Sequence, residues 1–163
     1  MANLMLTTQC NLNCRYCFAN EFVNKQRDEM SFENFMWCLK FLSVNPKERI
    51  GVIGGEPTLH PQLKEMLAAI IDSPFESACL FSNGILINQY FNELRNSKFQ
   101  ILINLNDPKV IGETNYQKIM SNMDEMINHL YMKEQVSFGL NLYYMNQDYT
   151  YILDALKRFK QKK

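Results

Sequence analysis

The sequence has no surplus of either charge and no long apolar run. Lysine and arginine together number 17, as do aspartate and glutamate, which leaves no formal net charge at pH 7. Proteins that bind nucleic acid or anionic lipid electrostatically carry a basic surplus, so neither partner is expected. No apolar run approaches the roughly 20 residues that cross a bilayer, and the first residues, MANLMLTTQC, lack a basic stretch followed by an apolar core. We therefore expect a cytoplasmic protein without a membrane-spanning segment.

Low-complexity segments, linkers and close internal repeats are also absent from the sequence. The 163 residues, of which 47% are apolar, suffice for one hydrophobic core and are too few for two ordinary domains. A single domain over residues 1–163 is the expectation.

Cysteine is scarce, but three of the five cysteines lie within eight positions. The stretch CNLNCRYC gives Cys10, Cys14 and Cys17 a C-x3-C-x2-C spacing with no fourth cysteine nearby. In a reducing cytosol, clustered cysteines hold a metal or perform redox chemistry more often than they form disulfides. The spacing therefore indicates a functional site.

The kind of metal centre depends on the missing fourth ligand. A structural zinc site is closed by four ligands. Cys38 lies in an apolar helical run and Cys79 in an apolar strand, so both are predicted to be core residues. Three thiolates suit an iron–sulfur cluster with one iron left open for another ligand, and a zinc or disulfide-exchange site is the alternative.

Short β-type runs alternate with helical runs along the whole chain. Five strand-then-helix units are predicted, with strands at 3–8, 49–55, 77–83, 99–106 and 135–144 and helices at 31–44, 61–72, 88–96, 116–131 and 148–161. Ser31 is predicted to cap the first helix, and Pro61 to occupy the first turn of the second. This alternation is typical of an α/β fold with a parallel sheet, either open or curled into a partial (β/α) barrel.

The least ordinary stretches of sequence follow the predicted strands. The cysteine stretch follows the first strand, GGEP (54–57) follows the second, SNG (82–84) follows the third, and NLND (104–107) closes the fourth. Because the carboxyl ends of parallel strands meet at one edge of a sheet, these four loops are expected to lie together around one opening, called the mouth below.

The motifs resemble those of one enzyme family. CNLNCRYC is similar to the C-x3-C-x-aromatic-C motif of the radical S-adenosylmethionine (radical SAM) superfamily, and GGEPTLHPQL resembles its methionine-binding loop after strand two. FSNGILIN and INLNDP resemble segments of the branch that modifies peptides and proteins. The resemblance implies a partial (β/α) barrel enzyme. The sequence is identified as a short or truncated member, because five units are visible where the family core usually has six.

The resemblance implies how the cysteines act. Cys10, Cys14 and Cys17 would hold three irons of a 4Fe–4S cluster, whose fourth iron is chelated by the amino and carboxylate groups of S-adenosylmethionine. An electron from a donor such as flavodoxin or ferredoxin would cleave this cofactor to methionine and a 5′-deoxyadenosyl radical, which abstracts hydrogen from a substrate. A peptide or protein is the first expectation for the substrate, and a small molecule is the second.

The same resemblance assigns the glycine loop and one aromatic residue to the cofactor. Gly54 and Gly55 lack side chains, so backbone can approach a ligand closely, and Glu56 is expected to receive the ammonium of S-adenosylmethionine. Tyr16 is expected near the adenine, with a packing role for its ring as the alternative.

Four further polar residues are assigned to the cofactor. Ser82 and Asn83 are expected at the ribose or carboxylate, or else as turn formers without a function. Asn104 stands where the branch has a serine that contacts the cofactor, and an amide makes similar hydrogen bonds. Asn106 is the fourth; it and Asp107 replace the Asp-Gly pair of that branch, so the match is partial.

One departure from the family pattern keeps other functions open. Between Lys109 and Lys118 the sequence has no counterpart of the arginine that often helps to hold the methionine carboxylate. A binding or regulatory protein that carries the cluster without radical catalysis is therefore one alternative, and a zinc or redox protein is the other.

Overall fold

The strands form one parallel sheet. The computed structural model describes residues 1–47, 49–129, 132–142 and 148–160. Its strands are β1 (Ala2–Met5), β2 (Ile50–Ile53), β3 (Ala78–Ser82), β4 (Phe99–Leu105) and β5 (Val136–Leu140). Neighbouring strands are parallel throughout, and their order in the sheet is their order in the chain. The predicted α/β fold with five parallel strands is confirmed.

A helix follows each strand, as the alternation predicted. The helices are α1 (Phe32–Leu42), α2 (Leu63–Asp72), α3 (Phe91–Leu94), α4 (Pro108–Ile111), α5 (Glu113–Asp124) and α6 (Thr150–Lys160). Short 3₁₀ turns at Pro57–Leu59 and Ile87–Tyr90 and a π-helical turn at Glu125–His129 complete the helical structure. Parts of three predicted elements, residues 130–131, 143–144 and 161, lie outside the described residues.

Local side-chain contacts explain where several helices begin. The Ser31 hydroxyl accepts a hydrogen bond from the Asn34 N–H at 3.2 Å, which confirms the predicted cap of α1. The prediction for Pro61 is wrong, because α2 begins at Leu63. His60 Nδ1 accepts the Gln62 N–H at 3.1 Å, so a turn precedes the helix.

The helix predicted from residue 116 starts earlier and is divided. The carboxylate of Asp107 accepts the Lys109 N–H at 2.8 Å and caps α4, which begins at Pro108. Gly112, with φ +85°, then separates α4 from α5. The apolar periodicity alone did not reveal this break.

The two faces of the sheet differ in burial. Consecutive parallel strands with right-handed crossovers place all the helices on one face. Along β3, Ala78 and Leu80 are buried beneath the helices, whereas Cys79 and Phe81 alternate onto the other face and are half-buried. The core position predicted for Cys79 is therefore wrong, because its side chain points to the face that the helices leave open. Cys38 on α1 is also half-buried and packs against the core.

Within the described ranges, no helix is both long enough and apolar enough to span a membrane.

Candidate functional site

The loop that carries the cysteines is attached to the loop after β2 by backbone hydrogen bonds. The Gly55 N–H donates to the Thr7 carbonyl and the Glu56 N–H donates to the Gln9 carbonyl, both at 2.7 Å. The loops after β1 and β2 therefore form one unit at the carboxyl edge of the sheet.

The two glycines make this attachment sterically possible. A Cβ on Gly55 would lie 2.4 Å from the Gln9 carbonyl oxygen and 2.7 Å from its carbonyl carbon. A Cβ on Gly54 would lie 2.8 Å from the Thr7 carbonyl oxygen. The space that a side chain would need is thus occupied by the backbone of the cysteine loop.

Gly55→Ala is expected to lower the free energy of unfolding by about 1–3 kcal/mol, the usual cost of overpacking. The added methyl group meets backbone atoms, which move only if the two loops separate. Urea unfolding of the metal-free protein measures this effect. Gly51→Ala is the matched control, because its closest neighbour is the movable side chain of Asn3. Equal effects of the two substitutions would contradict the close approach of the loops.

The three clustered cysteines line one cavity. Cys10, Cys14 and Cys17 are half-buried free thiols around a space of about 510 Å³. Arg15 and Lys25 line the same space. A cluster bound by three thiolates carries negative charge, and the two cations suit such a ligand.

Burial keeps two of these thiols, Cys10 and Cys14, protonated when no metal is bound. Burial raises the pKa of Cys10 to about 11, with the Leu12 N–H acting in the opposite direction. Burial also raises the pKa of Cys14, and the neighbouring Cys17 contributes to the same shift. A bound metal reverses this preference, since a coordinating thiol is deprotonated outright.

The donor set fits a cluster with several metal atoms. In the described part of the chain, no three His, Cys, Asp or Glu side chains are grouped so that they could hold a single metal ion. An iron–sulfur cluster instead takes each thiolate at a different iron, which requires thiols spread around a shared cavity. Cys10, Cys14 and Cys17 meet that requirement.

The Glu56 carboxylate faces inward and is held by four hydrogen bonds. Oε1 accepts from the Thr58 N–H at 3.1 Å, the Thr58 hydroxyl at 2.7 Å and the Ser82 hydroxyl at 2.8 Å. Oε2 accepts from the Asn83 N–H at 2.7 Å. Burial raises the pKa of this carboxyl, and the hydrogen bonds from Asn83, Thr58 and Ser82 oppose the shift. Glu56, which is 1% exposed, therefore joins the loops after β2 and β3.

Asn83 extends this connection to the cysteine loop. Its Nδ2 donates to Asn11 Oδ1 at 2.7 Å, and its Oδ1 accepts the Ile85 N–H at 3.0 Å. The Ser82 hydroxyl also accepts the Gly84 N–H at 3.0 Å, within the same turn. Ser82 and Asn83 thus act as turn formers here, in addition to the cofactor contacts expected of them.

A second polar network joins the cysteine loop to the ends of β4 and β5. The Tyr16 hydroxyl donates to Asn106 Oδ1 at 2.9 Å, and Asn141 Nδ2 donates to the same oxygen at 3.1 Å. Asn106 Nδ2 in turn donates to the Asn104 carbonyl at 3.1 Å. Burial raises the pKa of the Tyr16 phenol, so it is a neutral donor. The Asn104 side chain lies against Gly139, where a Cβ would be 2.6 Å from Asn104 Oδ1.

The residues predicted for the site are therefore gathered at one mouth. Three asparagines that sequence reasoning missed connect them: Asn11, Asn24 and Asn141. Asn24 binds the backbone of the cysteine loop from 14 residues away. No motif or periodic pattern distinguishes these three from the other asparagines, so their roles follow from the structure alone.

Comparisons with known proteins match most of the chain to one superfamily. The sequence model of the Radical SAM superfamily matches residues 4–162. The 7,8-dihydro-6-hydroxymethylpterin dimethyltransferase of Methanocaldococcus jannaschii is 34% identical over 99 residues, which are 58% of this chain and 20% of that protein. A probable GTP 3′,8-cyclase of Methanococcus maripaludis is 24% identical over 131 residues, which are 76% of this chain and 44% of that protein. The chain thus spans less than half the length of these relatives.

Solved structures share the fold at low sequence identity. Streptococcus suis SuiB bound to S-adenosylmethionine superposes with a TM-score of 0.76 at 16% identity, over 99% of this chain and 38% of that one. The anSMEcpe protein with bound AdoMet superposes with a TM-score of 0.67 at 23% identity, over 98% of this chain and 50% of that one. The likeness confirms the predicted partial (β/α) barrel.

Proposed function

Because the chain belongs to the Radical SAM superfamily, a family of enzymes, we propose that it cleaves S-adenosylmethionine reductively at a 4Fe–4S cluster held by Cys10, Cys14 and Cys17. The observation that carries this proposal is the placement of all three thiols around one cavity, beside the glycine loop. The 5′-deoxyadenosyl radical that this cleavage yields would then abstract a hydrogen atom from a substrate.

The chain's own residues would hold the cluster. Cys10, Cys14 and Cys17 bind as thiolates and release their protons on binding. Arg15 and Lys25 balance the negative charge that the thiolates bring to the cavity. When bound, the cluster supplies the electron that breaks a carbon–sulfur bond of S-adenosylmethionine.

The loop after β2 would hold the methionine end of the cofactor. No residue in the described ranges donates to the carbonyl oxygens of Gly54 and Gly55, so both are available as acceptors for an ammonium. Glu56 supports this loop, because its carboxylate accepts hydrogen bonds from Ser82 and Asn83 in the loop after β3. Both carboxylate oxygens already accept hydrogen bonds, so in place of the direct contact with the ammonium that the resemblance implies, the role proposed for Glu56 is to position this loop and to add negative charge near the ammonium.

The remaining mouth residues would orient the adenosyl end. Asn104 lies on the face of the sheet that the helices leave open, which supports a role for its amide in binding a ribose hydroxyl or an adenine nitrogen. Asn106 holds Tyr16 across the mouth at 2.9 Å, which fixes the phenol ring next to the cysteines. Tyr16 then offers its ring to the adenine while its hydroxyl remains bound to Asn106.

We propose a peptide or protein as the substrate and a flavodoxin or ferredoxin as the electron donor, in the cytoplasm. The FSNGILIN and INLNDP segments support the substrate class, and the solved structure of anSMEcpe with AdoMet also holds a bound Kp18Cys peptide. The curated relatives are named for a pterin and for GTP, so turnover of such a heterocycle in place of peptides would contradict the proposed substrate class.

Cleavage of the cofactor tests the proposed function. Protein reconstituted anaerobically with iron and sulfide is expected to be brown and, with dithionite and S-adenosylmethionine, to release 5′-deoxyadenosine and methionine, measured by chromatography. Omission of dithionite is the control, since no electron is then supplied. A brown protein that binds the cofactor without cleaving it would favour a cluster-carrying regulatory protein. A colourless protein would favour a zinc or disulfide-exchange protein.

A further inference from the structure

Asn24 adopts a backbone conformation that few residues accept. Its φ is +58°, and no other non-glycine residue in the described ranges has a positive φ. Asparagine tolerates this left-handed region better than most residues do. The Asn24 N–H donates to the Thr8 carbonyl at 2.9 Å, which fixes the residue beside the cysteine loop.

The side chain of Asn24 holds the backbone around Cys10 from both sides. Oδ1 accepts the Cys10 N–H at 2.8 Å. Nδ2 donates to the Cys10 carbonyl at 3.0 Å and to the Leu12 carbonyl at 3.3 Å. One amide group therefore satisfies three backbone groups in the first turn of the cysteine loop.

This turn presents a donor to the Cys10 sulfur. The Leu12 N–H donates to Cys10 Sγ at 3.4 Å, and the Leu12 side chain packs against the core. Asn24 binds the carbonyls of Cys10 and Leu12, and their two peptide planes flank the plane that carries the Leu12 N–H, so Asn24 restrains the direction of that N–H from both sides. Hydrogen bonds to cluster sulfurs and thiolates raise the reduction potential, because they stabilise the more negative reduced state.

We propose that Asn24 is a positioning residue for the iron–sulfur cluster, which clamps the turn from Cys10 to Leu12 so that the Leu12 N–H stays on the Cys10 sulfur. The proposal rests on the proposed function, in which Cys10 is a ligand of the cluster. Its consequences are slower loss of iron and a less negative reduction potential than an unclamped turn would give.

Asn24→Gly tests the side-chain hydrogen bonds of Asn24 without changing the backbone conformation at this position. Glycine accepts φ +58° without strain, so this variant removes the side-chain hydrogen bonds and little else. Asn20→Gly is the matched control, because Asn20 lies four residues earlier and its side chain makes no hydrogen bond within the described residues. Both variants lose an asparagine from the same segment.

The first measurement needs no metal. In the metal-free protein, the Cys10 amide is expected to exchange its hydrogen about tenfold faster in Asn24→Gly than in wild type, because the loss of about 1.4 kcal/mol changes an opening equilibrium tenfold. Asn20→Gly leaves this rate unchanged. Asn24→Asp is expected to exchange at an intermediate rate, because its carboxylate still accepts the Cys10 N–H but has no donor for the Cys10 and Leu12 carbonyls. Equal exchange in wild type and Asn24→Gly would overturn the clamp even if the protein binds no cluster.

The second measurement uses the reconstituted protein. Asn24→Gly is expected to lose iron to a chelator about tenfold faster than wild type, by the same free-energy conversion, and to have a more negative midpoint potential. Asn45→Gly is the control for this measurement, because Asn45 is exposed and does not line the cavity, and it should keep both wild-type values. A faster exchange of the Cys10 amide with unchanged iron loss and potential would show that the clamp is structural only and would overturn its role toward the cluster. Failure of wild type to take up iron would instead reject the proposed function.

Discussion

Replacement of Cys10, Cys14 or Cys17 by alanine is expected to abolish the iron–sulfur cluster. Wild type should bind about four irons per chain and each variant well under about one, since a cluster held by three protein thiolates does not survive the loss of one. Iron and sulfide analysis together with the visible absorption of anaerobically reconstituted protein measures the outcome. The expected effect is large because the three thiols share one cavity and have no neighbouring cysteine to replace a lost ligand.

Cys38→Ala and Cys79→Ala are the matched controls for the ligand variants. Cys38 lies on α1, and Cys79 lies near the start of β3, away from the carboxyl edge where the mouth is located. Both variants should retain wild-type iron content, because a free, partly buried thiol acts as a small apolar group. Retention of the cluster in all three ligand variants, or its loss in either control, would show that the ligands are misassigned.

The fold was predictable because its signals are local and repeated. The alternation of strands and helices predicted the parallel sheet. Ser31 predicted the start of α1, because its capping hydrogen bond joins residues only three positions apart. The gathering of the motif loops followed from topology, since each motif comes after a strand of the same sheet. Strand ends were less predictable: β1 ends at Met5, where the chain leaves the ladder to form the cysteine loop.

The side-chain geometry of the site was not predictable, because it depends on contacts between distant residues. The apolar run ACLFS suggests that Cys79 is a core residue. Apolar residues occupy both even and odd positions of this strand, so the sequence does not show which face the helices cover. Gly54 and Gly55 were interpreted as space for a ligand, and the structure fills that space with the backbone of residues 7–9. Glu56 was expected to receive the cofactor's ammonium, and the sequence did not reveal its hydrogen bonds to Ser82 and Asn83, which lie 26 and 27 residues away.

Glu56→Gln is expected to lower the free energy of unfolding by about 1–3 kcal/mol and the affinity for S-adenosylmethionine about tenfold or more. Both carboxylate oxygens accept hydrogen bonds, whereas a glutamine has one acceptor oxygen and an NH₂ group. One of the buried donors, for example the Asn83 N–H, would then face another donor. The unpaired donors would displace the loop that carries the Gly54 and Gly55 carbonyls, and the lost charge would weaken attraction to the ammonium.

Unfolding in urea and titration of the reconstituted protein with S-adenosylmethionine measure the two effects separately. Iron content should remain at the wild-type value because Glu56 is not a proposed ligand, and release of 5′-deoxyadenosine should recover partly at high cofactor concentration. Glu65→Gln is the matched control, since Glu65 is an exposed residue in the first turn of α2 and should change neither quantity. Unchanged affinity with reduced stability would confine Glu56 to a structural role. Unchanged stability would contradict the four hydrogen bonds themselves, because a buried carboxylate that holds two loops together cannot be neutralised without leaving a donor unpaired.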